Sequence, residues 1–526
     1  MRIKALVASP ASYTATCVVA AIVTTLVFAF KRGQDVNWDQ LNYHLIIPFL
    51  LLHGTFWDSI APAGIQSYLD PLVLIPQYIA IRTLPPLAAT AAIDVAQAMA
   101  FVVAARICLR IAGPDPDGGY GSAFLGFVLC LASPMALSEA GTTIVDLITA
   151  VPIVLAYLLL LTRDDAAAPR GTCLAAGLLL GGATGLKLTN AVFAIGAPAF
   201  FLAGPAPARR RVAGVAQLVL GGATGFAVVA GWWLLAVWRR FHNPFFPYFN
   251  NIFHSPDYPP VAQRDEHFVT HSVGAMLSYP YYWLVGGSTT PIRLSPASET
   301  DPKDARFALV LAGAAAVAVA ALFRRARRLA PLARPETGLL LACAIDYPVW
   351  LYTFGIQRYM VSLEIMCGAL VLVLVDWLVT GPWRARLLLV LVILTLARVH
   401  VASWQRLPWR DHWRGIAAEP LALRGRPLIL LPSKPTGFLA LSLPADARYV
   451  DFSCGEIDLC GPATSLTRQF RADLDAEPAF SLYAVLPAND PPQIAAHLDA
   501  FGLRLGTQCQ RLDLMERGYR ICNVLR

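Results

Sequence analysis

Charge is what this sequence has least of. Only 14% of its 526 residues are charged against 56% hydrophobic, and no charged residue lies between Lys4 and Lys31. So much apolar surface cannot be enclosed in a water-soluble core, because apolar residues would have to cover the outside as well. Lipid is therefore part of the solvent, and the mean hydropathy of +0.55 agrees. The formal charge of +8 sits in short arginine clusters and not in one basic patch, which excludes nucleic acid as a partner. Also missing are a Gly-x-x-x-x-Gly-Lys-Ser/Thr phosphate loop around Lys187 and a Gly-x-Gly-x-x-Gly turn in the polar tail. Without them there is no basis for a cytosolic nucleotide-binding fold.

What is present is a series of long apolar runs. A helix needs about 20 apolar residues to cross roughly 30 Å of hydrocarbon. That length places about eleven spans, at 11–30, 86–105, 120–138, 143–162, 172–187, 188–204, 212–237, 306–323, 337–355, 361–380 and 387–403. The first reads as a retained anchor, since no small-residue cleavage site follows Phe30. Basic residues favour the cytoplasmic side. Arg2 and Lys4, Arg106 and Arg110, Arg163 and Arg170, Arg209 to Arg211, Arg324 to Arg328, and Arg384 and Arg386 fall in alternate loops. This parity puts the N-terminus inside the cell. It puts outside a first loop at 31–85, a second at 238–305, and the region 404–526, beyond a membrane domain at 1–403.

The tail is a different kind of sequence. Pro427–Leu431, Phe480–Val485 and Tyr519–Val524 are short apolar stretches between turn residues, and Pro492–Phe501 has helical spacing. A small extracytoplasmic α/β or α+β domain follows, serving substrate recognition or packing. Six of the ten cysteines lie in apolar spans, where a thiol is a small hydrophobe. The other four suit an oxidising compartment, with Cys454–Cys460 and Cys509–Cys522 as the local pairings among three connectivities. Zinc is not favoured there, for no histidine or Cys-x-x-Cys accompanies them.

Isolated polar residues carry the functional argument, because Asp39, Glu139, Asp146, Lys187 and Arg358 all thread to the outer side. In the first loop, Asp39 is followed by Tyr43 and His44, and on a helix Asp39 and Tyr43, four apart, share a face with Gln40 and His44 beside them. A carboxylate there can act as a base on an incoming hydroxyl; it can equally cap a helix lying at the interface. Glu139 and Asp146 flank the ends of two spans, as acids facing a cavity or as helix-start acids favoured by the macrodipole. If Gly141 starts the second helix, it breaks the phase between them. Lys187 lies on the wrong side for a topology signal and suits a phosphate as a point charge, with snorkelling as the alternative. Arg358 and Tyr359 offer a bidentate fork beside an aromatic face, or an interfacial anchor. In the second loop, the aromatic run 243–250 with His254 and Asp257 reads as a wall of the same cavity or as a membrane-surface anchor. Asp94 and Asp346, inside spans, read as helix-packing partners or protonated acids. The glycines before Lys187 read as close-packing positions.

Taken together, Trp38-Asp39 through Tyr43-His44 after the first span, Asp146 opening the fourth, Gly185 to Thr189, and Arg358-Tyr359 after a late span resemble the GT-C superfamily of integral-membrane glycosyltransferases. That group includes protein O-mannosyltransferases, the lipid A aminoarabinose transferase and oligosaccharyltransferase catalytic subunits. The resemblance covers 1–400 and implies a GT-C-like helix arrangement. It implies Asp39 as the essential first-loop acid, Asp146 and Glu139 as the second acidic element, and Lys187 and Arg358 as ligands of a lipid phosphate. The first loop departs from some members in following its acid with Gln40 instead of a second acid. Fewer oxygen ligands then converge, so no cofactor is assigned and a divalent cation is left open. The expected activity is transfer of a hexosyl or pentosyl group from a polyprenyl-phosphate-linked sugar to a lipid, glycan or protein acceptor, at the outer face of the inner membrane. A transporter or flippase is the competing class, for which no internal repeat is evident. A non-catalytic envelope scaffold is the third.

Overall fold

In lipid every backbone polar group must be satisfied within its own segment, so an apolar run that enters the bilayer folds as a helix. In the computed structural model all eleven runs are helical. The described residues are 7–526 without 116, 164–170, 203–205, 286–298, 327–335, 418, 462–463, 477–480, 488–492 and 516. Arg2, Lys4, Arg170, Arg327 and Arg328 among the topology arginines and lysines, together with Phe480 and Pro492 of the tail stretches, lie outside them. Five helices are long and apolar enough to cross a membrane: Pro10–Arg32, Pro86–Ala112, Ala208–Phe241, Arg306–Phe323 and Gln357–Leu378. The protein is a largely α-helical, polytopic membrane protein with a small C-terminal β-sheet domain.

Two other runs are broken. The 120–138 stretch divides into Gly121–Leu131 and Pro134–Glu139. Pro134 is the reason, since proline lacks an N–H and is favoured in a first helical turn. The 188–204 stretch becomes three short pieces, Leu188–Asn190, Ala191–Gly196 and Ala197–Phe201.

The chain forms two units, one of residues 1–31, 91–231 and 265–404, the other of 32–90, 232–264 and 405–526. At the centre of the first stands Val361–Leu378, whose residues 361–375 are all buried. A helix apolar all round belongs inside a bundle. Only 17% of Arg306–Phe323 is buried inside the protein, as suits a helix at the rim of a bundle. Thr172–Leu186 packs on Ala208–Phe241 through glycines: a Cβ on Gly181 would stand 1.9 Å from the Gly222 carbonyl oxygen, and one on Gly177 2.2 Å from that of Leu218. Small residues let the two backbones touch. Asp94 and Asp346 serve packing: Asp94 accepts from Thr25 Oγ1 at 2.8 Å, and Asp346 from the Tyr157 hydroxyl at 2.6 Å.

The second unit has its own core, built from the first loop, part of the second and the tail. Its strands are β1 (Gln34–Asp35), β2 (Arg406–Leu407), β3 (Leu428–Leu431), β4 (Arg448–Asp451), β5 (Leu482–Pro487), β6 (Arg504–Leu514) and β7 (Arg517–Leu525). β1 and β2 pair antiparallel, and the rest form a sheet of order β4-β3-β5-β7-β6. β3 is parallel to β4 and β5 and buried along its whole length, which is why Leu428–Leu431 is unbroken apolar sequence. Helices Ser465–Ala476 and Gln493–Asp499 follow β4 and β5. The tail is thus a mixed α/β domain. Both local cysteine pairings are formed, Cys509–Cys522 joining opposed residues of the β6–β7 hairpin and Cys454–Cys460 closing the loop after β4.

Candidate active site

In the first unit the site is assembled from a break in a helix. Pro134–Glu139 is too short to stand alone, and a carboxylate from another helix holds its first turn. The two oxygens of Glu364 accept from the Met135 and Ala136 N–H groups, each at 3.0 Å. Glu364 is fixed in turn by Arg306 at 3.2 Å, and Arg306 by Asp304 and the Ser133 hydroxyl, the latter at 2.7 Å. Asp304, Arg306 and Glu364 are all essentially excluded from solvent. Three buried charges are tolerable only when mutually paired and hydrogen-bonded.

Glu139 ends the helix that Glu364 begins. Gly141 then takes a φ of +67°, which a side chain would resist, and the next helix starts at Asp146. Glu139 and Asp146 are therefore on separate helices, yet they converge, because Glu139 Oε2 accepts from the Leu147 N–H at 2.9 Å. Gln97 secures the intervening turn, accepting from Gly141 N at 2.9 Å and donating to the Thr142 carbonyl at 3.0 Å. The Glu139 side chain is fully buried.

Lys187 follows the Thr172–Leu186 helix in extended conformation, and its ammonium meets Asp146 Oδ1. It does not snorkel to solvent. It also lies 4.0 Å from the centroid of the Tyr359 ring, a cation–π contact. The Arg358 guanidinium is 5.3 Å from the same ring and 5.8 Å from that of Trp404, whose indole N–H donates to Ser138 Oγ at 2.9 Å. Arg358 Nε stands 2.7 Å from Glu299 Oε2. Glu139, Asp146, Lys187, Arg358 and Tyr359 thus form one cluster, in which two cations share an aromatic ring and are met by carboxylates.

Asp39, Tyr43, His44, His254 and Asp257 belong to the second unit. Asp39 does not cap. Its backbone is already helical, and its side chain makes no capping hydrogen bond. The cap is Asn37, whose Oδ1 accepts from the Gln40 N–H at 2.9 Å while its amide donates to both oxygens of Asp35 at 2.9 and 2.8 Å. The turn that follows, Gln40–His44, is a π turn, wider than an α-helix. Tyr43 and His44 meet edge to face at 4.3 Å. In the second loop, Asp257 accepts from the Ser465 N–H at 3.0 Å and from its hydroxyl, starting the Ser465–Ala476 helix. His254 is exposed, with a φ of +53°. Asn250 ties the segment together, reaching the Ser255 and Tyr258 carbonyls at 3.0 and 2.6 Å.

Sequence reasoning did not single out Glu299, Trp404, Gln97, Asn37 or the Asp304–Arg306–Glu364 group. Glu364 carries the same signal as Asp146, an acid in an apolar run, and Gln97 is an uncharged polar residue inside a span; the others resemble ordinary loop or span-edge residues. Among the described residues, one group of metal-ligating types converges, Cys454, Asp458 and Cys460. Both thiols are used in their disulfide, so this group does not fit a cation.

Among curated proteins, none matches the sequence. Among solved structures, the chain is similar to ArnT from Cupriavidus metallidurans bound to undecaprenyl phosphate, at 14% identity over 98% of each chain with a TM-score of 0.54. It is similar also to the same protein in the apo state, at 15% identity over 98% of each chain and a TM-score of 0.53. At this identity the likeness is one of fold. The sequence model of glycosyltransferase family 87 matches residues 71–345, a stretch that holds Glu139, Asp146 and Lys187 and leaves out Asp39 and Arg358. With just over half of its residues matched, the chain belongs to glycosyltransferase family 87 and is a membrane glycosyltransferase of the GT-C superfamily.

Proposed function

We propose that this enzyme transfers a hexosyl or pentosyl group from a polyprenyl-phosphate-linked donor to an envelope acceptor at the extracytoplasmic face. The observation that carries the reading is the cluster in the first unit, where Lys187 and Arg358 converge on Tyr359 beside Glu139 and Asp146. Two cations in mostly apolar surroundings suit a lipid-borne phosphate, with Lys187 as point charge and Arg358 as planar fork. The phosphate would exchange with the Glu299 carboxylate on Arg358. ArnT, of like fold, has been crystallised with undecaprenyl phosphate, which supports the donor class.

The chemistry follows from the parts. Asp39, with Tyr43 and His44 beside it, takes the proton from the acceptor hydroxyl. That oxygen bonds to the sugar carbon as the bond to the phosphate oxygen breaks, and the polyprenyl phosphate leaves with the electron pair. Glu139 and Asp146 order the cationic side, and exposed His254 is the second-loop residue assigned to substrate.

The enzyme in proteoliposomes, supplied with polyprenyl-phosphate sugars, tests this. Asp39→Asn should lower turnover by about 10²–10⁴-fold with folded protein retained, and Lys187→Ala should chiefly raise the apparent donor KM. Flux of lipid-linked sugar without transfer would instead establish a flippase. Near wild-type transfer by Asp39→Asn at saturating donor would remove Asp39 from the mechanism.

A further inference from the structure

The segment bearing Asp39 has contacts before and after it, and both come from the tail. Before it, β1 pairs with β2, so that Gln34 and Asp35 oppose Leu407 and Arg406. The ladder continues as Val36 N–H donates to the Gln405 carbonyl at 3.1 Å, and Arg406 Nη1 donates to the Gly33 carbonyl at 3.1 Å. Gly33 has a φ of +95°, and a Cβ there would stand 2.3 Å from the Leu407 carbonyl oxygen. After it, the tail segment Gly437–Ser442 packs against the π turn so closely that a Cβ on Gly437 would lie 2.1 Å from the Asn42 carbonyl oxygen and 2.9 Å from Ile46 Cγ2. Leu41, Leu45 and Ile46 share one core with Phe438 and Leu439. Further along, Ile60 extends the sheet edge, its N–H donating to the Tyr449 carbonyl at 2.8 Å and its carbonyl accepting from Asp451 N–H at 3.1 Å.

A first-loop segment with a two-residue strand and a five-residue turn cannot fix its own geometry, since each ordered residue loses about 1–2 kcal/mol of backbone entropy. The clamp supplies what the segment lacks. We infer that the tail is the positioning element for the first-loop acid, with Arg406 and Gly437 as positioning residues, Arg406 acting on catalysis through the Asp35–Asn37–Asp39 turn and Gly437 through the π turn that follows it. This assigns the 405–526 region a part in transfer without any contact to the donor, and it rests on the role proposed above for Asp39.

The test uses the full-length enzyme with two readouts. The backbone of Gly437 is outside the left-handed region, so Gly437→Ala changes only the space against Asn42 and Ile46. It should lower kcat by about 10- to 100-fold, as for a misplacement of an ångström or so, with donor KM changed less than about twofold. Hydrogen exchange of the 40–46 amides should quicken in the same variant. Gly506→Ala, which presses on the Asn523 side chain in the outer hairpin, is the matched control and should do neither. Arg406→Met tests the other side of the clamp with a milder change and serves if Gly437→Ala does not fold. The inference is overturned if exchange of 40–46 stays at wild-type rates in the variants that fold. It is overturned equally if exchange quickens without loss of kcat, or if Gly506→Ala loses as much turnover. Absence of transfer from every polyprenyl-phosphate sugar by the wild-type enzyme would count against the donor reading alone, since the exchange measurement does not depend on the donor.

Discussion

The acids of the two units are held by different physics. In the first unit, Glu139 and Asp146 are set by charge: Glu364 caps one short helix, Glu139 caps the next, and Asp146 meets Lys187. In the second, Asp39 is set by backbone, through a strand ladder, an asparagine cap and a close-packed glycine. Where water is scarce, an ion pair is strong and an orphaned charge is costly, so a chain of carboxylates can define a geometry. The ladder and cap before Asp39 are buried as deeply, with Gln34, Asp35 and Asn37 at 0–2% exposure, but there main-chain pairing and an amide meet the polar groups in place of a buried cation.

Arg306→Met is the severest test of that contrast. It leaves Asp304 and Glu364 buried without their cation and should destabilise the protein by about 3–5 kcal/mol. Combining it with Asp304→Asn should restore part of that loss, whereas adding Glu364→Gln should restore less, because it turns an NH2 toward one of the two N–H groups that Glu364 accepts. Thermal unfolding in nanodiscs reads both, and an unaltered single variant would show that the first unit does not depend on charge. Asn37→Ala should cost about 1 kcal/mol, the usual worth of a cap, and Asn37→Asp should cost more, because it sets a second buried carboxylate against the Asp35 oxygens to which the amide donates. A silent Asn37→Ala would move the ordering of Asp39 elsewhere in the clamp.

Smaller effects sharpen the comparison. Glu299→Gln should improve donor affinity by up to about fivefold, because a partly exposed ion pair contributes up to about 1 kcal/mol and the phosphate no longer competes with a carboxylate; a weaker KM would make Glu299 a donor ligand. The smallest concerns Asp70, whose acid is pushed up to about 6 by burial. A carboxyl with a raised folded-state pKa favours the fold when protonated, and that contribution fades as pH rises through about 6. Asp70→Asn should therefore raise Tm by about 1–3 °C at pH 8, and the gain should vanish near pH 4. A gain that does not depend on pH would place its origin outside this titration.

The helices were legible because lipid leaves an apolar run no other fold, and the cluster was legible because Asp146, Lys187 and Arg358 are charges in apolar sequence. Charge alone was not enough for Glu299, which lies in an ordinary polar loop, or for Arg306, which reads as a span edge until Glu364 is found to need a partner. The clamp on Asp39 was not legible at all. β1 and β2 are two residues each and far apart in sequence, and nothing in Gly437 announces Asn42 as its neighbour. The π turn at Gln40–His44 was not legible either, since it leaves no mark on spacing. In the tail, apolar runs revealed β3, β5 and β7, whereas β6, with exposed polar residues along it, did not stand out.

The glycine seam between Thr172–Leu186 and Ala208–Phe241 has a bearing on how this enzyme can vary. Gly181 stands five residues before the helix end at Leu186, about 7.5 Å along an axis rising about 1.5 Å per residue, and Lys187, whose ammonium meets Asp146, follows directly. With the neighbouring backbone against it, the seam acts as a depth stop for the lysine. A single methyl at Gly181 would tilt or lift the helix and carry the cation away from its carboxylate, although the added group touches nothing polar. Tolerance to substitution should therefore follow distance from this seam as closely as distance from the reacting atoms, and a search for altered donor preference has as much reason to begin among its glycines as among the charges.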